Sequence, residues 1–81
     1  MDPADIEALI EDDIPGATAE VRRARGQHDD EHFAATVVAP AFEGESLVDR
    51  HQQVYDALGE HMTRDIHAIE LKTQTPEEAE A

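Results

Sequence analysis

No cysteine occurs anywhere in this chain, which excludes disulfides and leaves no thiolate for a self-sufficient metal site. Any soft metal centre bound here must take its sulfur from another molecule. Lysine is almost as scarce: Lys72 and five arginines face 20 acidic residues, giving a formal net charge of -14. That self-repulsion opposes compaction in dilute buffer. In molar salt, where the Debye length falls to about 3 Å, it is screened and the acids favour solubility. A high-salt cytoplasm, as in a halophilic archaeon, is the setting this composition suggests. No apolar run approaches the roughly 20 residues of a membrane-spanning helix, and acids rather than bases lead the N-terminus. A cytoplasmic protein with no membrane contact is expected. A phosphate-binding glycine loop, a Gly-x-x-Gly clamp, a nucleophile–base pair and an internal repeat are also missing, so nothing argues for an enzyme.

What is present is periodic order. The 81 residues allow one domain and one modest core, and 40% of them are apolar. A chain of this size buries roughly 60–65% of its unfolded surface, and regular apolar spacing argues against disorder. Asp2-Pro3-Ala4-Asp5 opens a helix: Asp2 caps, Pro3 takes the first helical position, and Asp5 favours the positive dipole end. Ile6, Leu9, Ile10 and Ile14 share one helical face, and Ile14-Pro15-Gly16 ends it. Ala17 to Arg25 reads as a short strand, followed by a polar turn over Gly26-Gln27-His28-Asp29-Asp30-Glu31.

His32 through Ala39 is the clearest strand, with Phe33, Ala35 and Val37 on one face and Thr36 and Val38 on the other. Apolar residues on both sides suggest a central position. Pro40 ends the strand, and Phe42 in the following loop is expected to tuck into the core. Ser46-Leu47-Val48-Asp49 fits a capping box for a helix carrying Leu47, His51, Val54, Leu58 and Met62 at helical spacing. Ile66 to Thr73 then reads as a strand with His67, Ile69 and Leu71 on one face. Thr75-Pro76-Glu77-Glu78 marks a last helix start. The expected organisation is a domain over residues 1–75 and an acidic tail or short helix over 76–81. The order implies an α/β (α+β) domain with one three-stranded sheet and helices on one face.

The stretch Asp49-Arg50-His51-Gln52-Gln53-Val54-Tyr55-Asp56-Ala57-Leu58, followed by Ile66-His67-Ala68-Ile69-Glu70-Leu71-Lys72-Thr73, resembles the signature of the BolA family. The likeness extends through His32-Phe33, Phe42-Glu43-Gly44 and Leu47, and runs from Ile6 to Thr75. It implies the type II K-homology topology, α-β-β-α-α-β-α with a mixed sheet, and a helix split near Asp49. It further implies that His67 donates a ligand to a [2Fe–2S] cluster shared with a monothiol glutaredoxin. The second ligand falls on His28 in the loop between the first two strands, with His32 as the alternate. His51 takes a structural role at the head of the second main helix. Arg50 orders the Glu43-Gly44 loop or contacts a partner, and His61 lies at the surface.

Two function classes follow. The first is a non-enzymatic adaptor in iron–sulfur cluster trafficking or iron sensing, holding no cluster by itself and existing free as a monomer or weak homodimer. Imidazole ligation suits it, because it raises the cluster's potential and makes the assembly labile to acid. The alternative is a nucleic-acid-binding transcriptional regulator using Arg22, Arg23 and Arg25 as a local basic stripe. The missing Gly-x-x-Gly and the charge of -14 weigh against it. The other acidic pairs are expected to form a solvated surface.

Overall fold

The computed structural model describes residues 1–24, 32–64, 66 and 68–81. Along the chain come α1 (Pro3–Asp13), β1 (Thr18–Arg23), β2 (His32–Val38), a 3₁₀ turn (Pro40–Phe42), α2 (Leu47–Leu58), α3 (His61–Arg64), β3 (Ala68–Gln74) and α4 (Pro76–Glu80). The sheet order is β1-β2-β3, with β1 antiparallel and β3 parallel to β2. This is the α-β-β-α-α-β-α arrangement with a three-stranded mixed sheet that the sequence implies.

Local chemistry explains most boundaries. The Asp5 carboxylate accepts from the Asp2 backbone N–H at 3.2 Å, and Pro3 occupies the first helical position of α1. Ile6 and Ile10, one turn apart, are fully buried. Gly16 makes the turn into β1 at φ +74°, where a Cβ would stand 3.1 Å from the Pro40 side chain, so both conformation and space favour glycine. Strand β2 alternates as its central position requires. Phe33, Ala35 and Val37 are buried, while His32, Ala34, Thr36 and Val38 line the other face half-buried. Register places Val21 and Leu71 beside Ala35, and Ile69 beside Phe33, on the core side. Phe42, Val54, Leu58 and Ile66 close that core, with Phe42 tucked in as expected.

Two expectations need correction. The split between α2 and α3 falls at Gly59-Glu60, not near Asp49. Asp49 lies inside the first turn of α2, its N–H held by Ser46 Oγ at 3.1 Å, whereas Gly59 has φ 54° and ψ -131° and ends the helix. Leu47 also leaves the buried stripe and is 62% exposed. Helical spacing gives the face of a residue but not how far the underlying sheet extends, and the buried stripe of α2 begins only at Val54.

Candidate functional site

One end of the sheet holds Ala24, His32 and Ala68, the described residues that flank His28 and His67 in the chain. The Ala24 N–H donates to the His32 carbonyl at 2.9 Å, closing the β1–β2 ladder. His32 opens β2, and its register partner across the parallel pair is Ala68, the first residue of β3. The chain between Ala24 and His32 and the chain entering β3 are therefore anchored at neighbouring points. His28 and His67 themselves lie outside the described residues, as does Arg25. His32 is half-buried on the sheet face opposite Phe33. Among the described residues no three or more His, Asp or Glu side chains gather to hold a metal ion. With no cysteine in the chain, any thiolate ligand to a metal centre here would have to come from another molecule.

The described arginines of the basic stretch do not form one stripe. Consecutive strand residues point to opposite faces, so Arg22 stands on the helix-free face and Arg23 on the core side. Arg23 Nη2 lies 3.2 Å from Asp2 Oδ1 and 3.4 Å from the Met1 carbonyl, with the guanidinium 5.5 Å from the Phe33 ring centre. On the open face, register sets Arg22, Ala34 and Glu70 in one row and Glu20, Thr36 and Lys72 in the next. These residues line a groove of about 480 Å³. Opposite charges alternate along it, so it presents no single-sign field to a phosphate backbone.

Arg50 is drawn inward onto its own domain. Its Nε donates to the Glu45 carbonyl at 3.1 Å, Nη1 to Glu78 Oε1 at 2.8 Å, and its guanidinium carbon lies 6.0 Å from the Phe42 ring centre. It thereby fastens the loop after Gly44 to α4, with only 13% of its side chain exposed. That hydrogen bond, then the Thr75 backbone N–H, hold the Glu78 carboxyl below the usual carboxylate range. His51 is half-buried on α2. His61 is also half-buried, and its carbonyl accepts from the Ile66 N–H at 2.8 Å, so it is less peripheral than its sequence context suggests.

Two acids expected to be merely solvated do something else. Glu7 Oε2 accepts from the Val21 N–H at 2.8 Å and Glu11 Oε2 from the Ala19 N–H at 2.9 Å, sealing the outer edge of β1. Their spacing of four on α1 is the only sequence signal, and it is equally that of an ordinary acidic helix face.

The fold defines a small α+β domain built on a mixed three-stranded sheet with helices on one face. The BolA-like protein family model matches residues 10–78, and the chain belongs to that family. It is 33% identical to SufE-like protein 1, chloroplastic/mitochondrial, of Arabidopsis thaliana over 78 residues, covering 96% of this chain and 21% of that protein. With protein BOLA1, chloroplastic, of the same plant it is 36% identical over 72 residues, 88% of this chain and 45% of the relative. A shorter match, 37% over 49 residues, covers 60% of this chain and 47% of the DNA-binding transcriptional regulator BolA of Escherichia coli (strain K12). The chain thus spans between about a fifth and half the length of these curated relatives. Among solved structures, a bolA protein homologue from Coxiella burnetii superposes with TM-score 0.84 at 40% identity, covering 100% of this chain and 99% of that one. The BolA domain of SufE1 from Arabidopsis thaliana gives TM-score 0.79 at 32% identity over 98% of this chain and 94% of that one.

Proposed function

We propose that this protein is a non-catalytic adaptor that takes a share of a [2Fe–2S] cluster from a monothiol glutaredoxin, for iron–sulfur cluster assembly, trafficking or iron sensing. The observation that carries it is the anchoring of the 24–32 connection and the start of β3 at adjacent positions, through the His32–Ala68 register. We take that adjacency as support for His67 and His28 as the ligand pair, with His32 as the alternate. Neutral imidazole is a competent iron ligand, and two such ligands require thiolates from the partner and a small thiol. Ligation by imidazole is lost when the ring is protonated, which suits transfer over storage. Membership of a family that includes a BolA domain within SufE1 agrees with an iron–sulfur role.

The test is to mix the chain with a monothiol glutaredoxin carrying a reconstituted cluster and record visible circular dichroism. His67→Ala should abolish the spectral change while far-ultraviolet dichroism stays native, and His28→Ala should weaken it. His51→Ala, at a half-buried position on α2, should retain the spectrum. A normal mixed-cluster spectrum from His67→Ala sinks the ligand assignment. The regulator reading draws on the Escherichia coli relative's name and on Arg22, Arg23 and Arg25. Micromolar binding of a single-stranded oligonucleotide at working salt, lost when those three become serine, would put it first.

A further inference from the structure

The two edges of the sheet are treated differently. In a strand, the backbone N–H and C=O of successive residues point alternately to the two sides. On β1 the outward N–H groups of Ala19 and Val21 are taken up by Glu11 and Glu7. On β3 the Gln74 carbonyl accepts from Ala39 N–H at 3.0 Å, so Gln74 faces β2, and by alternation Lys72, Glu70 and Ala68 do too. Ile69, Leu71 and Thr73 then direct their backbone groups away from the sheet. Among the described residues none makes a hydrogen bond to those groups. The outer edge of this seven-residue strand, accessible at Ile69 and Leu71 with Thr73 buried, is a template for another strand.

We propose that this edge pairs with β3 of a second copy of the chain, antiparallel about a two-fold axis at Leu71, so that two domains share one six-stranded sheet. Charge complementarity selects both the occupant and the register. The axis at Leu71 sets Glu70 opposite the partner's Lys72, and Lys72 opposite the partner's Glu70. Both side chains are exposed on the helix-free face. These are non-hydrogen-bonded positions, where facing Cα atoms approach to about 4.5 Å and side chains meet. Leu71 would face the partner's Leu71 and Ile69 the partner's Thr73, covering apolar side chains that are only half-buried in the single domain. Neighbouring registers lack this match. An axis at Glu70 or Lys72 sets like charges face to face, and one at Ile69 or Thr73 leaves Glu70 against Ala68 or Lys72 against Gln74. The only lysine in the chain thus stands two residues from the carboxylate it would pair with across the axis. With -14 on each copy, the dimer needs salt to screen the approach.

The proposal is independent of the cluster reading and is tested by sedimentation velocity from micromolar to millimolar protein in molar KCl. The unmodified chain should show a concentration-dependent monomer–dimer equilibrium that weakens in dilute buffer. Lys72→Glu and Glu70→Lys should each weaken it by about threefold in molar KCl, where exposed pairs are largely screened, and by more as KCl is lowered, since two attractive facing pairs become repulsive. The double swap Glu70→Lys with Lys72→Glu rebuilds both pairs and should restore association. Far-ultraviolet dichroism of these surface variants should remain native, and amide exchange at Ile69, Leu71 and Thr73 should slow as protein concentration rises. A chain monomeric at millimolar concentration overturns the proposal and leaves the edge to a strand of another protein. A dimer indifferent to the single swaps, or one that the double swap fails to restore, overturns it as well.

Discussion

Arg50 shows how one side chain can organise three segments that are distant in sequence. It meets the Glu45 carbonyl, the face of Phe42 and the Glu78 carboxylate, so the loop before α2, the core and α4 are joined at a single cation. The pH dependence follows from the depressed Glu78 ionisation. A carboxyl whose folded pKa lies below its unfolded value contributes its stability at pH above the unfolded value, and that contribution fades as pH falls through the folded one. Lowering the pH past the ordinary glutamate range should therefore loosen α4 from Arg50. Glu78→Gln should already show the loosened α4 at neutral pH and lack that acid-side step, which amide exchange of residues 76–80 followed against pH would reveal. An identical pH profile in both proteins would contradict the assignment.

At the scale of elements, the boundary between α2 and α3 rests on Gly59. Its φ of 54° with ψ of -131° is a region that side chains avoid, although a Cβ there would meet nothing nearer than the Asp56 carbonyl at 3.9 Å. The penalty for replacing it is therefore backbone strain rather than a clash. Gly59→Ala should destabilise the domain by about 1–3 kcal/mol, read from urea unfolding with an unchanged m-value. Alternatively α2 would run on into α3 and displace Met62, which packs against the core. A variant as stable as the parent would show that the turn relaxes freely.

For the whole molecule, charge and size act together. The domain measures 36 × 25 × 20 Å with a radius of gyration of 12.2 Å, so at low salt, where the Debye length is about 30 Å, nearly all its carboxylates repel one another. Thermal unfolding followed from millimolar to molar KCl should move to higher temperature, because screening relieves repulsion concentrated in the compact state. The same should hold in the Glu70→Lys/Lys72→Glu variant, whose net charge is unchanged. A midpoint that stays flat or falls with salt would remove the inference of a high-salt habitat. No helix among the described residues is long and apolar enough to cross a membrane.

The sequence alone determined the element order, the central place of β2 and the buried faces of α1 and β2. Those properties follow from short-range periodicity: Ile6 and Ile10 a turn apart, Phe33, Ala35 and Val37 at every second residue, Pro3 and Ser46 at helix starts. Family membership was legible for the same reason, because its signature residues sit in two continuous stretches. Tertiary structure alone decided what depends on meetings between distant segments. Glu7 and Glu11 look like solvated acids until β1 lies beside α1, and Arg50 has no visible partner until α4 folds back over 28 residues. The neighbouring basic residues Arg22 and Arg23 read as one stripe until the pleat sends them to opposite faces of the sheet. Which edge is sealed and which is open is likewise a property of the assembled sheet, because backbone hydrogen bonds carry no mark in the sequence.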